Sequence, residues 1–291
     1  MIEISQEAET IGGFYVDKKM KAVWIAELEL LKKFIFVCEK YNLTYYMAGG
    51  SLLGAIRHNG FIPWDDDIDI DMPRDDYNKL IAIAKYEFDD KFFFQSTYTD
   101  RGYVRPHAQI RNSDTTAIVE HEKGLVFNQG IFIDIFPLDA APKNKLKRLI
   151  HSYTLKLLSI IFKAGVMINP AKNPSKLKCL AHYIVQPIFR FFSYKKLFHS
   201  FENICSKYNY DKNLPIGEIS FDYRSKCIWP RECFDGIVMK DFMGLKVACP
   251  KGYDTILKIT FGDYMVPQKA PSYHGSIFFD VNVSYKTYLE K

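Results

Sequence analysis

Nowhere does the chain carry an uninterrupted run of about 18 apolar residues, the length a helix needs to cross a bilayer, so no membrane span is predicted. The best candidate, Leu155 to Val166, is cut by Lys156 and Lys163. The start, Met1-Ile2-Glu3-Ile4-Ser5-Gln6-Glu7, lacks the basic region and apolar stretch of a signal peptide, which predicts a cytoplasmic protein. Six cysteines (Cys38, Cys179, Cys205, Cys227, Cys233, Cys249) show no CxxC and no regular spacing, so reduced, partly buried thiols are expected. No internal repeat is visible. Disorder is excluded as well: 48% hydrophobic residues, with 19 tyrosines and 23 phenylalanines among 291, are enough to build a core.

Chemistry concentrates in one stretch, Met47 to Pro73, which reads M-A-G-G-S-L-L-G-A-I-R-H-N-G-F-I-P-W-D-D-D-I-D-I-D-M-P. Gly49-Gly50-Ser51 is a small-residue turn after the strand-like run Leu43 to Met47. Two residues without side chains let backbone N–H groups approach a phosphate, and Ser51 adds a hydroxyl. A short helix from Ser51 to Arg57 would start at this turn, and its free N–H groups and dipole favour an anion. Arg57 is either a bidentate clamp on a diphosphate or an arginine paired with the nearby aspartates. Trp64 reads as a core residue.

The run Asp65-Asp66-Asp67-Ile68-Asp69-Ile70-Asp71 alternates acid and isoleucine. On a strand, Asp65, Asp67, Asp69 and Asp71 would share one face and Ile68 and Ile70 the other. Alternate carboxylates then lie roughly 6.5–7 Å apart at Cα, close enough to converge on one divalent cation or a pair. Held together without a cation or a proton they would repel. An all-oxygen donor set suits Mg²⁺ or Mn²⁺ rather than zinc.

The stretch G-G-S-L-L-G-A-I-R-x-x-G-F-I-P-W-D-D-D-I-D-I resembles the LicD family of phosphocholine transferases, to which the fukutins are also related. The resemblance is dense over Tyr45 to Tyr77. It resumes at Gly130-Ile131-Phe132-Ile133-Asp134-Ile135-Phe136-Pro137-Leu138-Asp139 and returns at Phe261-Gly262-Asp263-Tyr264-Met265-Val266-Pro267, with His274 beyond. It implies a nucleotidyltransferase-like fold that moves a phospho-alcohol from a CDP-linked donor to a sugar hydroxyl. In that scheme Asp67 and Asp69 hold the ion and Gly49, Gly50 and Ser51 seat the donor phosphates. Arg57 and Arg111 assist as phosphate contacts, and His274 touches donor or acceptor. Asp134, a lone carboxylate in an apolar strand and costly to bury unpaired, looks like the third catalytic and metal-binding carboxylate. Asp65 stands behind the ligands, and Asp139 is expected in a loop or as a helix cap. The implied donor is CDP-choline or another CDP-alcohol, and the acceptor a glycan, lipid-linked by preference. Two readings from other classes share these residues: a nucleotidyltransferase using an NTP on RNA, protein or a small molecule, and a non-catalytic membrane-surface scaffold. Donor preference separates the first, and divalent-ion binding the second.

The expected fold class is α/β (α+β), a nucleotidyltransferase-like core with a small mixed sheet and a basic helical insertion. Residues 1–142 form the core, 143–208 the insertion, and 209–291 return to the core. Apolar residues at helical spacing predict an amphipathic helix over 17–41, and further helices are expected over 75–84 and from Lys251 to Lys258. Strands are expected over 92–95, 108–111, 131–136 and 244–250. In the insertion, thirteen Lys and Arg face a single acid, Glu202, giving about +12; against +5 overall, the remainder carries about −7. Such a segment either lies on an anionic membrane, here the inner face of the cell membrane, or caps the catalytic domain through its apolar faces. No nucleic-acid partner is expected, because no nucleic-acid module accompanies the charge.

Overall fold

The computed structural model describes residues 5–100, 102–123, 125–166, 180, 182–184, 186–187, 193–221, 223, 227–269 and 276–289. His274 and Cys179 lie outside the described residues. Helix α1 (Lys18–Tyr41) matches the amphipathic pattern closely because both of its ends are capped. Asp17 accepts the Met20 N–H at 2.7 Å, and Asn42 stops the helix in the left-handed conformation, φ 50°. Its buried face sets Trp24, Leu28, Leu31 and Phe34 into the main core. A hairpin that sequence periodicity does not announce precedes it, β1 (Glu9–Ile11) and β2 (Phe14–Val16).

The central sheet is built from β3 (Tyr46–Met47), β4 (Asp69–Pro73), β5 (Phe92–Gln95), β6 (Ala108–Asn112), β8 (Ile131–Ala140), β9 (Ile216–Gly217) and β10 (Ile228–Trp229); β7 (Thr116–Val119) pairs elsewhere. Its order is β10-β9-β8-β4-β3, with β6 alongside the first half of β8 and β5 at the outer edge of β6. Only β4–β8 is parallel, so the sheet is mixed. All ten residues of β8 are buried, which is why it reads as a near-continuous apolar run. Between β3 and β4 comes α2 (Gly49–Arg57), and α3 (Arg74–Glu87) follows β4.

Two expectations about strands change. The acidic run is not one strand: β4 begins only at Asp69, after a turn in which Asp65 N–H donates to Ile62 O at 2.9 Å. The four-carboxylate face therefore does not form, and Asp71 is buried within β4. Conversely, β8 runs on to Ala140, so Asp139 is neither a loop residue nor a cap. It is fully buried and takes two hydrogen bonds from Arg74, Nε at 2.9 Å and Nη2, plus one from Asn209 Nδ2 at 2.8 Å.

The insertion contributes α4 (Lys145–Val166) and α5 (Tyr194–Cys205). Leu155 and Phe162 of α4 pack with Phe198, Phe201 and Cys205 of α5 against Ala141, Ile219 and Ile228. Arg74 also reaches Glu202 of α5 at 3.3 Å, so a buried ion network moors the insertion to the sheet. The hairpin β11 (Ile237–Phe242)–β12 (Leu245–Pro250) turns through Met243 and Gly244, both at positive φ, and sends Phe242, Val247 and Cys249 into the main core. Helix α6 (Tyr253–Phe261) ends at Gly262, φ 72°. Strand β13 (Ile277–Asp280) pairs antiparallel with β7, and α7 (Lys286–Leu289) follows. Among the described residues five cysteines are free thiols.

Removing one partner of a buried ion pair strands the other charge. Asp139→Ala is therefore expected to destabilise the protein by about 3–5 kcal/mol in urea unfolding. A loss below about 1 kcal/mol would show that Arg74 is adequately served without it.

A candidate catalytic centre of three carboxylates

The register of the parallel pair β4–β8 sets Asp69 directly opposite Asp134, and the antiparallel pair β6–β8 sets Gln109 opposite Asp134 on its other side. Asp69, Asp134 and Gln109 thus form a row across three strands. Asp67, just ahead of β4, folds back onto this row, and one oxygen each of Asp67, Asp69 and Asp134 lies within 4.8 Å of the other two. Asp65, Asp66 and Asp67 form a second such group, half-exposed at the outer side.

Asp134 is held from behind. Gln109 Nε2 donates to its Oδ1 at 2.6 Å, and His107 Nε2 lies 3.1 Å from the same oxygen, off the line of a well-directed hydrogen bond. Arg111 fixes which way the Gln109 amide faces, because its Nη2 donates to Gln109 Oε1 at 2.5 Å and leaves Nε2 for the carboxylate. Arg111 also donates to Gln95 Oε1 and, at 2.8 Å, to Gly130 O, and its guanidinium stacks 4.7 Å from the Phe132 ring centre. It is 1% exposed, and burial pulls its pKa down to about 10. The expected role of Arg111 as a phosphate contact is not supported by this geometry. Its donors are spent inside the sheet, and it acts on the site through Gln109.

The electrostatics are uneven. Burial works against ionising Asp134, but the neighbouring His107 and Arg105 and the Gln109 amide outweigh it and hold the carboxyl below its usual range. Asp69 moves the other way: burial first, then the charges of Asp67, Asp134, Glu218 and Asp65, push it well above the usual range. Glu27 of α1 is a further participant, one that the amphipathic pattern over 17–41 does not single out. It is 1% exposed, its Oε2 has no hydrogen-bond partner, and burial followed by Asp67, Asp66, Asp65 and Asp134 drives its pKa well up. The available signal was position, since Trp24, Leu28 and Leu31 surround it on the buried face.

The glycines serve the carboxylates. Gly49 has φ 48°, and a Cβ there would lie 2.6 Å from Asp69 Oδ2; a Cβ on Gly50 would collide with Asp65 Oδ2. Bare backbone lets the first turn of α2 press against the acids. Ser51 is buried and its Oγ accepts the Asp69 N–H at 2.9 Å, so in this structure it pins the backbone of the cluster. Arg57 sits at the far end of α2, about 12 Å along the axis. There it is half-buried and donates from Nη1 to Tyr264 O at 2.5 Å, tying α2 to the Phe261–Pro267 segment. Trp64 is half-buried against Phe14, ring centres 4.3 Å apart. Asp65 is oriented through its carbonyl, which accepts the Trp24 Nε1–H at 2.9 Å.

An all-oxygen group of three, Asp134 buried and Asp67 and Asp69 half-buried, fits a hard divalent ion. Residues 42–157 match the family described as "LicD/FKTN/FKRP, nucleotidyltransferase domain", and this match together with the relatives below supports LicD family membership. It is 29% identical over 244 residues to the lipopolysaccharide cholinephosphotransferase LicD of Haemophilus influenzae, covering 82% of this chain and 88% of that one. It is 44% identical over 116 residues to an uncharacterised protein of Rickettsia prowazekii, 40% of either chain. It is 25% identical over 171 residues to the human ribitol 5-phosphate transferase FKRP, 51% of this chain and 34% of that protein.

Two outcomes follow from this geometry. Carboxyls whose folded pKa is raised, Asp69 among them, release protons from the unfolded chain first as pH rises. Without divalent ions, their contribution to stability is thus greatest below the ordinary carboxylate range near 4 and falls as pH climbs through it toward the raised values. Melting in EDTA should decline with pH over this interval, Asp69→Asn should shallow the decline, and a slope identical in the variant would contradict the assignment. Gln109→Leu should weaken Mn²⁺ affinity by about 10–100-fold, as loss of a group orienting a ligand typically does. Calorimetric titration with unchanged affinity would remove Gln109 from that role.

Proposed function

We propose that this protein transfers phosphocholine or a related phospho-alcohol from a CDP-alcohol to a hydroxyl of a cell-surface glycan precursor, with Mg²⁺ or Mn²⁺ held by Asp67, Asp69 and Asp134. The observation that carries the reading is the convergence of those three carboxylates beside the N-terminus of α2. The names of two relatives support the class, one a cholinephosphotransferase and the other a ribitol 5-phosphate transferase.

In this reading the sugar hydroxyl attacks the phosphorus that carries the alcohol, the bond to the bridging oxygen breaks, and CMP departs. The bound ion would supply charge neutralisation on the diphosphate and its leaving oxygen. The chain's own groups divide the remaining work. Backbone N–H groups of Gly49 and Gly50, at the start of α2, receive phosphate oxygens. Asp134, kept ionised by its neighbours, completes the ion's shell or takes the proton from the attacking hydroxyl. The half-exposed side at Asp65, Asp66 and Asp67 is where donor and acceptor enter.

Thermal shift with Mn²⁺ present, across CDP-choline, CDP-ribitol, CDP-glycerol, CMP, CTP and ATP, tests the donor class. Stabilisation by CDP-alcohols above CMP is expected, and the strongest responder names the carried group. Stabilisation by CTP or ATP alone would replace the proposal with a nucleotide-adding activity.

A further inference from the structure

Helix α4 carries more apolar surface than its packing uses. Its inner face, His151, Leu155 and Phe162, is buried against α5 and the sheet edge. On the other side Leu146, Leu149, Ile150, Tyr153, Leu157 and Ile160 are each 53–65% exposed. At about 100° per residue, these six positions fall within a single arc roughly 100° wide, running most of the length of the helix. The same arithmetic sets Lys145, Lys156 and Lys163, all exposed, in a row within about 20° of one another along one edge of that arc. No acid lies on α4. Six large apolar side chains aligned in solvent are far from the scattered singles normal for a protein surface.

The charge around the stripe selects what covers it. Residues 143–208 hold thirteen Lys and Arg against Glu202 alone, and Glu202 is turned inward onto Arg74. A second copy docked stripe to stripe would bring two such basic surfaces together, and like charges oppose that pairing. An anionic lipid surface satisfies both halves of the pattern, with acyl chains for the stripe and phosphates for the lysine row. Among the described residues no helix is long and apolar enough to cross a membrane, so the contact is with one leaflet. We propose that α4 lies in the headgroup plane of an anionic bilayer, its Leu146–Ile160 stripe toward the acyl chains and Lys145, Lys156 and Lys163 at phosphate level. The inference stands on the stripe of α4 and the charge of residues 143–208, and does not depend on the donor being a CDP-alcohol.

Sedimentation of the full chain with extruded vesicles tests it. Binding to equimolar phosphatidylcholine–phosphatidylglycerol vesicles is expected, with little binding to phosphatidylcholine alone and weakening as salt rises. The triple variant Leu149→Ser/Tyr153→Ser/Leu157→Ser removes only exposed groups, so it should melt like the parent and lose vesicle affinity more than about tenfold. Lys145→Glu/Lys156→Glu/Lys163→Glu should lose a comparable amount on the anionic vesicles. Absence of binding to anionic vesicles, or binding unchanged in both variants, would overturn the proposal. So would light scattering that finds a dimer which the serine variant dissociates, because a second copy would then own the stripe.

Discussion

Two carboxylates facing each other across neighbouring parallel strands, Asp69 on β4 and Asp134 on β8, set the terms for everything around them. Setting like charges side by side is unfavourable; His107 and Arg105 offset it at Asp134, and apolar packing holds the pair together. Ile68, Ile70, Ile133 and Ile135 are wholly buried in the main core and hold both strands in register. The remaining devices aim the acids. Gly49 and Gly50 admit them to the first turn of α2, Ser51 fastens the backbone at Asp69, and Arg111 works through Gln109 to orient Asp134. A site assembled this way carries unbalanced negative charge, which suits the divalent ion proposed for it.

Strand β8 serves two purposes through the alternation of its faces. Asp134 and Asp139 differ in parity, so they project to opposite sides of the same strand. The first joins the carboxylate cluster with Asp67 and Asp69. The second anchors Arg74 and, through it, Glu202 of α5. The basic insertion is thereby fixed to the strand that carries Asp134, and the outer face of α4 is set at a defined position relative to the carboxylate cluster. Packing of the inner face of α4 on α5 fits the cap reading of this segment, while the outer face remains open for another contact.

Much of this was legible in the residues. The limits of α1 follow from Asp17 and Asn42, and the glycine turn, the Asp67–Asp69 pair and Asp134 were all marked by type and pattern. The misreadings have local causes. Alternation over Asp65–Asp71 could not say where the strand begins, and the turn after Ile62 delays it to Asp69. The strand expected over 131–136 runs on, as β8, through Pro137. This proline sits where β6 has ended and β9 has not begun, so its missing N–H leaves no partner unsatisfied there, and Asp139 continues the strand. Arg111 and Ser51 were recognised as polar groups near the site, but a sequence does not reveal that such groups are turned inward. Strands of three residues, β1 and β2, are too short for periodicity to detect.

The most direct test is Mn²⁺ binding followed by electron paramagnetic resonance on the parent chain and on Asp134→Asn. If β4 and β8 jointly build the site, the parent takes up the ion in a protein-bound spectrum and the single substitution on β8 weakens uptake sharply, even with Asp67 and Asp69 intact. Equal uptake by parent and variant would place the ion on the acidic run alone and contradict a centre built from paired strands.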